Sequence, residues 1–298
     1  MNISEHITAN TQIISPTLSQ VKGHKLQSGE ICEILSELAR EQDKQGRAHS
    51  IENCGTWLNF RQYHDKNSTR TLHTANFCKS PLCPMCAWRK ALKLSHQLQR
   101  AILQNNAKYL YHLVLATDSA KEISKDSIKV FKQRATKFIR KYISGEYAIS
   151  IEVTYNPEYG YHPHIHALIC TDNFIKVSAE YIKYMAVLWA SYNESAHAQN
   201  TFYITGITDK ESASRELTKY ILKYEGIDIK GDRDVIKSLA VSVSSMKKIQ
   251  SAGQLKKDIA QASREYETER ERKTHGLELC GYELEIYNWL NGEYVRTN

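Results

Sequence analysis

The residues with the clearest capacity for chemistry form the run His162-Pro163-His164-Ile165-His166-Ala167-Leu168-Ile169. Side chains alternate across a β-strand, so His164 and His166 project from one face and reach one metal ion. Ile165, Ala167 and Ile169 then point the other way, into packing. A lone histidine in an apolar strand is ordinarily a core residue, whereas two alternating ones are hard to explain by packing and point to metal ligation. His162 shares their face but sits beside a turn. Glu152, in the strand upstream, is the other candidate for a third ligand, and an oxygen donor there favours a hard ion, Mg²⁺ or Mn²⁺.

A second cluster is made of cysteines. Cys54, then after a long gap Cys78, Cys83 and Cys86, offer thiolates to a tetrahedral structural Zn²⁺. In a reducing compartment such thiols stay free for a metal instead of pairing as disulfides. Four thiolates leave no open coordination position, so the ion is structural and not catalytic. His73 is the alternative to the distant Cys54. Pro81 and Pro84 are expected to interrupt helical structure and favour a knuckle-like loop. Beside it, Trp57, Trp88, Arg89, Lys90 and Lys93 form either a DNA-contacting surface or, for Trp88, a packing contact between the knuckle and the next helix.

The third constellation lies in a segment with helical periodicity, Glu211 to Tyr224. Glu216, Lys219, Tyr220 and Lys223 are spaced by three or four residues and share a face, with Leu217, Ile221 and Tyr224 beside them as the packing stripe. Taken alone, this is an exposed helix with ion pairs and a half-buried tyrosine.

In combination the three motifs, in this order, resemble those of plasmid rolling-circle replication initiators of the HUH endonuclease superfamily, the subgroup with a Glu-x3-Tyr helix. The resemblance runs from about Cys54 to Tyr224, with Tyr109 to Thr117 in the place of the family's first motif. It implies a DNA nickase and strand transferase. A divalent ion on His164 and His166 assists, and Tyr220 is the nucleophile, giving a 5′-phosphotyrosine and a 3′-OH that primes a host polymerase. Lys219 and Lys223 would favour the phenolate, because an unperturbed tyrosine with a pKa of about 10 is a weak nucleophile at neutral pH. Glu216 matches the carboxylate that activates water for termination, while the Tyr220-x3-Tyr224 pair leaves open a second tyrosine in that role. Partners implied are single-stranded or extruded plasmid origin DNA and a host helicase, with a homodimer as the candidate assembly.

The elements that must position these residues read as an α+β fold, an antiparallel sheet flanked by helices, with an N-terminal cysteine-rich zinc-binding element. Residues 1–50 are expected to be a mobile arm of about 28 residues and a short helix. Residues 51–107 form the cysteine-rich region and a basic helix from Arg89 to Gln104. The endonuclease core occupies 108–227, and 228–298 is an accessory region. Strands are expected at Tyr109–Ala116, Ala148–Tyr155, His162–Cys170 and Thr201–Gly206, and helices at Gly29–Lys44, Ile128–Tyr142 and Ala179–Tyr192. Short connections between strands favour antiparallel pairing. A hairpin is expected over Tyr282–Thr297, turning at Asn291-Gly292.

Composition narrows the function classes. With 41% hydrophobic and 24% charged residues the chain can bury a substantial core, which excludes wholesale disorder. No run of eighteen apolar residues and no secretory pattern occur, so a cytoplasmic protein without a membrane partner is expected. Basic residues exceed acidic ones by 40 to 33, and from Lys121 to Lys141 eight Lys or Arg face two acids, which suits a phosphate-bearing partner or a solvated helix face. There is no Gly-x4-Gly-Lys-Ser/Thr loop, in keeping with a protein that needs no ATP. The rivals are a single-strand transposase of the same superfamily, distinguished by its DNA context, and a non-catalytic zinc-stabilised DNA-binding regulator, distinguished by binding without divalent ion or covalent product.

Overall fold

Thr17-Leu18-Ser19-Gln20 opens α1 (Leu18–Gln27) with a capping box, in which the Thr17 hydroxyl accepts from the Gln20 N–H and the Gln20 side chain accepts from the Thr17 N–H. The structure, a computed structural model, describes residues 16–198, 201–211, 213, 232–243, 246–247 and 249–298. The expected N-terminal arm is therefore corrected over its second half. Val21 is fully buried and Lys25 donates to the Cys54 carbonyl at 2.7 Å, so the cap and one apolar anchor hold a helix where composition suggested none.

The order continues with α2 (Gly29–Glu41), which buries Cys32, Ile34, Leu35 and Ala39, then α3 (Gln45–Glu52), β1 (Trp57–Tyr63) and β2 (Arg70–Ala75). The hairpin of β1 and β2 lies inside the cysteine-rich region, where the residue pattern predicts no strand. Next come α4 (Pro84–Gln104), β3 (Tyr109–Ala116), α5 (Lys125–Phe138, extended by a π-helical turn over Ile139–Ile143), β4 (Glu146–Asn156), β5 (Gly160–Thr171), α6 (Ala179–Asn193) and β6 (Phe202–Ile207). After Asp232 follow α7 (Arg233–Val243), β7 (Gln250–Ala252), α8 (Gln254–Glu278), β8 (Tyr282–Leu290) and β9 (Glu293–Arg296). Pro84 does not interrupt a helix but starts one. At the first helical position its missing N–H costs nothing, so α4 begins five residues before the expected Arg89.

Two antiparallel sheets result. The larger has the order β6-β3-β5-β4-β7 and the smaller β2-β1-β8-β9. In the larger sheet Leu113, Leu115, Ile149, Ile165, Ala167 and Ile169 are buried on one face against Phe131 and Phe138 of α5 and Trp189 of α6. On the opposite face Leu110, Ala148, Leu168 and Cys170 pack under Leu98, Ala101 and Ile102 of α4 and Leu255 and Ala262 of α8. Glu146 at the start of β4 fixes α8, accepting from the N–H groups of Gln254 at 3.0 Å and Leu255 at 2.9 Å that a helix N-terminus leaves open.

The smaller sheet brings together segments far apart in sequence. β1 pairs with β8 over seven residues, from Trp57 opposite Asn288 to Tyr63 opposite Tyr282. The turn from β8 to β9 uses Asn291 and Gly292, both at positive φ, as the Asn-Gly pair predicts. Tyr294 of β9 is buried and donates its hydroxyl to the Gly55 carbonyl at 2.5 Å. No helix among the described residues is long and apolar enough to cross a membrane.

Candidate active site and metal centre

β3, β5 and β4 lie side by side, with Glu152 opposite His164, Ser150 opposite His166 and Val114 opposite His166. Because parity is preserved across a sheet, Glu152, His162, His164, His166 and His112 share one face. That face is the one opposite α5 and α6. Burial grades along it: His166 and His112 are buried, while His164, Glu152 and His162 are half-buried toward the turn. The alternation that places Ile165, Ala167 and Ile169 in the apolar layer holds the histidines on the polar side.

His166 stands at the centre of the contacts. Its Nε2 is 2.9 Å from Glu152 Oε2, and its Nδ1 is 3.4 Å from His112 Nε2, with the two imidazole rings nearly parallel at 5.6 Å. His164 lies 6.3 Å from His166 and 4.2 Å from His162, ring centre to ring centre. Glu152 thus touches His166 directly, and the three histidines line a row that climbs to the rim. There a cleft of about 510 Å³ opens beside His162, Asp118 and Tyr159. Gly160 sets the start of this row. At φ +90° it passes so close to the Ala120 carbonyl that a side chain has no room.

His112 was missed in the sequence, although it sits in the strand assigned as the first motif. The available signal was a single polar residue inside Tyr109-Leu110-Tyr111-His112-Leu113-Val114-Leu115, with the same parity as the histidine face once β3 is paired with β5.

The cysteines form a compact centre. The ligand atoms of Cys54, Cys78, Cys83 and Cys86 lie within 4.8 Å of one another, and among the described residues no other set of three or more His, Cys, Asp or Glu groups is so disposed. Zinc–sulfur bonds of about 2.3 Å put tetrahedral sulfurs roughly 3.8 Å apart. The Sγ separations are 3.5 Å for Cys54–Cys86 and Cys54–Cys83 and 3.7 Å for Cys78–Cys86, so the residues fit a tetrahedral ion. Backbone N–H groups of Cys78, Lys79 and Ser80 point at the sulfurs of Cys54, Cys86 and Cys78, at 3.3, 3.2 and 3.4 Å. Hydrogen bonds from Cys54 and then Cys83 and Cys86 hold the Cys78 thiol far below its ordinary value, while Cys83, in contact first with Cys32, is driven up. Opposite shifts are what four thiols sharing one pocket must show, since they cannot all ionise without a cation among them.

His73 does not join them. It lies on β2 with its Nε2 3.1 Å from Arg61. Cys32 is a fifth sulfur close by, 3.6 Å from Cys83 Sγ, but outside the set of four. Cys170, buried under α4 and α8, has its pKa pushed up to about 12 by desolvation, and Cys280 is exposed. Trp88 is 7% exposed and stacks on His24 at 4.0 Å, so it packs the centre against α1.

Glu216, Lys219, Tyr220 and Lys223 lie outside the described residues, together with Leu217, Ile221 and Tyr224. What precedes them is described: Lys210 donates to the Asn105 carbonyl at 2.5 Å, and Ala213 is fully buried in the cluster with Leu110, Ala148 and Leu168. Those three residues belong to the same face of the sheet as the histidines.

Comparison with known proteins adds an independent line. A family model described as a replication protein matches residues 69–289. A protein of Lactiplantibacillus plantarum named "Protein rep" is 29% identical over 236 residues, covering 70% of this chain and 73% of that one. Its namesake in Streptococcus pneumoniae serotype 2 is 31% identical over 159 residues, covering 50% and 48%, and one in Staphylococcus aureus is 31% identical over 132 residues, covering 41% and 57%. The chain thus spans about half the length of the pneumococcal protein. No solved structure matches it.

Proposed function

The chain belongs to the replication protein family, and from that premise we propose that it initiates rolling-circle replication of a plasmid by nicking one strand of the origin through a tyrosine nucleophile in an HUH-type core. The observation that carries this reading is the row of alternating histidines on the polar face of an antiparallel sheet, with Glu152 in contact with His166.

Of these residues, Glu152 and His166 are spaced as two ligands of one hard divalent ion, and His164 stands next along the row. Ligands at about 2.1 Å in an octahedron stand roughly 3.0 Å apart at adjacent positions, and the Glu152–His166 pair is 2.9 Å apart. His164, His166 and Glu152 would hold Mg²⁺ or Mn²⁺, with His162 at the rim as a further ligand. Such an ion would polarise the scissile phosphate and offset the charge of the pentavalent transition state. Were Nε2 of His166 a metal ligand, its Nδ1 would carry the ring proton and donate toward His112 Nε2. His112 would thereby fix the tautomer and the ring plane.

Tyr220 attacks the phosphorus, its Oη–P bond forming as the P–O3′ bond breaks. The phenolic proton leaves with a base or solvent, the departing 3′ oxygen is protonated, and a 3′-OH primer remains beside a 5′-phosphotyrosine. Lys219 and Lys223 lower the cost of the phenolate. Glu216 activates the water that ends replication. Support for Tyr220 comes from its Glu-x3-Tyr spacing and from Ala213, buried on the histidine-bearing face a few residues before it. Host helicase and polymerase, a homodimer and a cytoplasmic location belong to the same proposal.

The test is a denaturing gel of purified protein with labelled single-stranded origin oligonucleotides and Mn²⁺. A metal-dependent covalent band is expected, and His164→Ala or His166→Ala should reduce it by about 10²-fold or more, as removal of a group that stabilises transition-state charge does. DNA binding without any adduct on either origin strand would overturn the nickase in favour of a zinc-stabilised regulator. Substituting His112 tests the outer contact separately. His112→Ala should raise the Mn²⁺ concentration for half-maximal nicking by about 10-fold or more, and His112→Gln, whose amide reaches the place of Nε2, should recover part of it.

A further inference from the structure

A second cluster of unused chemistry lies away from the histidine face, where β2 and α4 meet α8. A groove of about 210 Å³ is lined there by Arg89, Lys93 and His96 of α4, Arg270 and Tyr266 of α8, and His73 of β2. Its cations come from elements distant in sequence, and Arg89, Lys93 and Arg270 are exposed residues, with the Arg89 guanidinium partly covered. Aromatic rings hold several of them. Arg89 lies 3.8 Å over Phe77, Lys93 5.9 Å over Tyr266, and His96 stacks on Tyr266 at 6.3 Å.

One carboxylate serves two of the three cations. Glu267 pairs with Lys93 and reaches Arg270 only at 3.7 Å, and no carboxylate among the described residues stands within ion-pair distance of Arg89. Burial lowers the pKa of Arg89, and the Arg270 charge adds to this, against the raising effect of the Cys86 and Cys54 sulfurs. Like charges assembled in this way cost free energy unless an anion completes them. Exposed cations along an open groove suit a chain of phosphates rather than one enclosed ion, and neutralising each phosphate releases counterions.

We propose that this groove, built by the zinc-bearing N-terminal region and α8 together, is a second DNA-binding site that grips the phosphodiester backbone, with Arg89 and Arg270 as its principal contacts. It positions DNA without reading bases, since guanidinium contacts to phosphate carry no sequence information. The inference shares with the proposed function only that the chain handles DNA.

The test is fluorescence anisotropy of the full chain with a fluorescein-labelled origin duplex across a chloride series, without added divalent ion so that the result does not depend on nicking. Arg89→Ala combined with Arg270→Ala should weaken binding about 10- to 100-fold at low salt and flatten the slope of log affinity against log salt by about 1.8, the value for two lost phosphate contacts on duplex DNA. Arg89→Lys with Arg270→Lys should keep most of both. Zinc content and melting temperature report folding, and if the double alanine variant fails there, Arg270→Gln, on an exposed helix face, replaces it and should flatten the slope by about half as much. Unchanged affinity and slope in a folded variant would overturn the site. So would inorganic phosphate raising the melting temperature of the wild type and not of the variant while DNA affinity stays equal, which would make it a free-anion pocket.

Discussion

Replacing Tyr220 by phenylalanine should abolish the covalent protein–DNA adduct while leaving affinity for the same origin strand within about twofold. Phenylalanine preserves the ring and its packing and removes only the oxygen that would bond to phosphorus. Loss of a nucleophile typically costs on the order of 10⁴-fold or more in rate, because nothing else in the site takes its place. The measurement is a single-turnover time course on a labelled oligonucleotide, read on a denaturing gel. A Tyr220→Phe protein that still forms the adduct would move the nucleophile elsewhere, with Tyr224 the first alternative. The neighbouring assignments separate in the same assay. Glu216→Gln should leave the first nick within a few-fold and block hydrolytic release of the adduct. If Tyr224→Phe blocked a second transfer while Glu216→Gln left termination intact, Glu216 would lose its role to the tyrosine.

The second large effect concerns the cysteine centre. Cys83→Ser should release bound zinc and destabilise the N-terminal region by about 3–5 kcal/mol, as expected when a buried group in a metal site loses its partner. For a chain of this size that corresponds to a fall in melting temperature on the order of ten degrees. The physical reason is visible in the contacts. Cys83 is fully buried, starts α4, and lies 3.5 Å from Cys54 and 3.6 Å from Cys32. Cys32→Ser is the matched control, because it removes another buried thiol that is not one of the four. It should retain zinc and cost far less. Atomic absorption on both variants with a parallel thermal melt decides the matter, and equal zinc content in the two would end the four-cysteine assignment.

How much of this was legible in the sequence depends on how local the signal is. The β4–β5 hairpin was readable because alternating histidines and aliphatic residues fix a strand and its two faces at once, and the register then follows from the short turn. The C-terminal hairpin was readable from Asn291-Gly292, whose positive φ values suit few other pairs. By contrast, the pairing of β1 with β8 has no local signature. The polar composition of residues 18–27 hides α1, whose signal is the capping box Thr17–Gln20, and a proline such as Pro84 breaks a helix in its interior but initiates one at the first position. In the candidate site, the shared face of His164 and His166 follows from strand parity, and Glu152 is suggested by its place in the neighbouring strand. His112 does not follow in this way, since its partner His166 lies in another strand and only the β3–β5 register joins them.

The closure of the smaller sheet by β8 and β9 has a consequence for how the protein is made. During synthesis the cysteines emerge early and are ready for metal, but β1 gains its central neighbour only when residues roughly 220 positions later leave the ribosome, on the order of ten to forty seconds at ordinary elongation rates. Through that interval the β1 edge presents open backbone groups, the kind of surface that recruits other nascent chains or chaperones. A message that stops short of Tyr282 would leave that edge permanently open. Folding of the cysteine-bearing region is thus tied to synthesis of the β8–β9 hairpin.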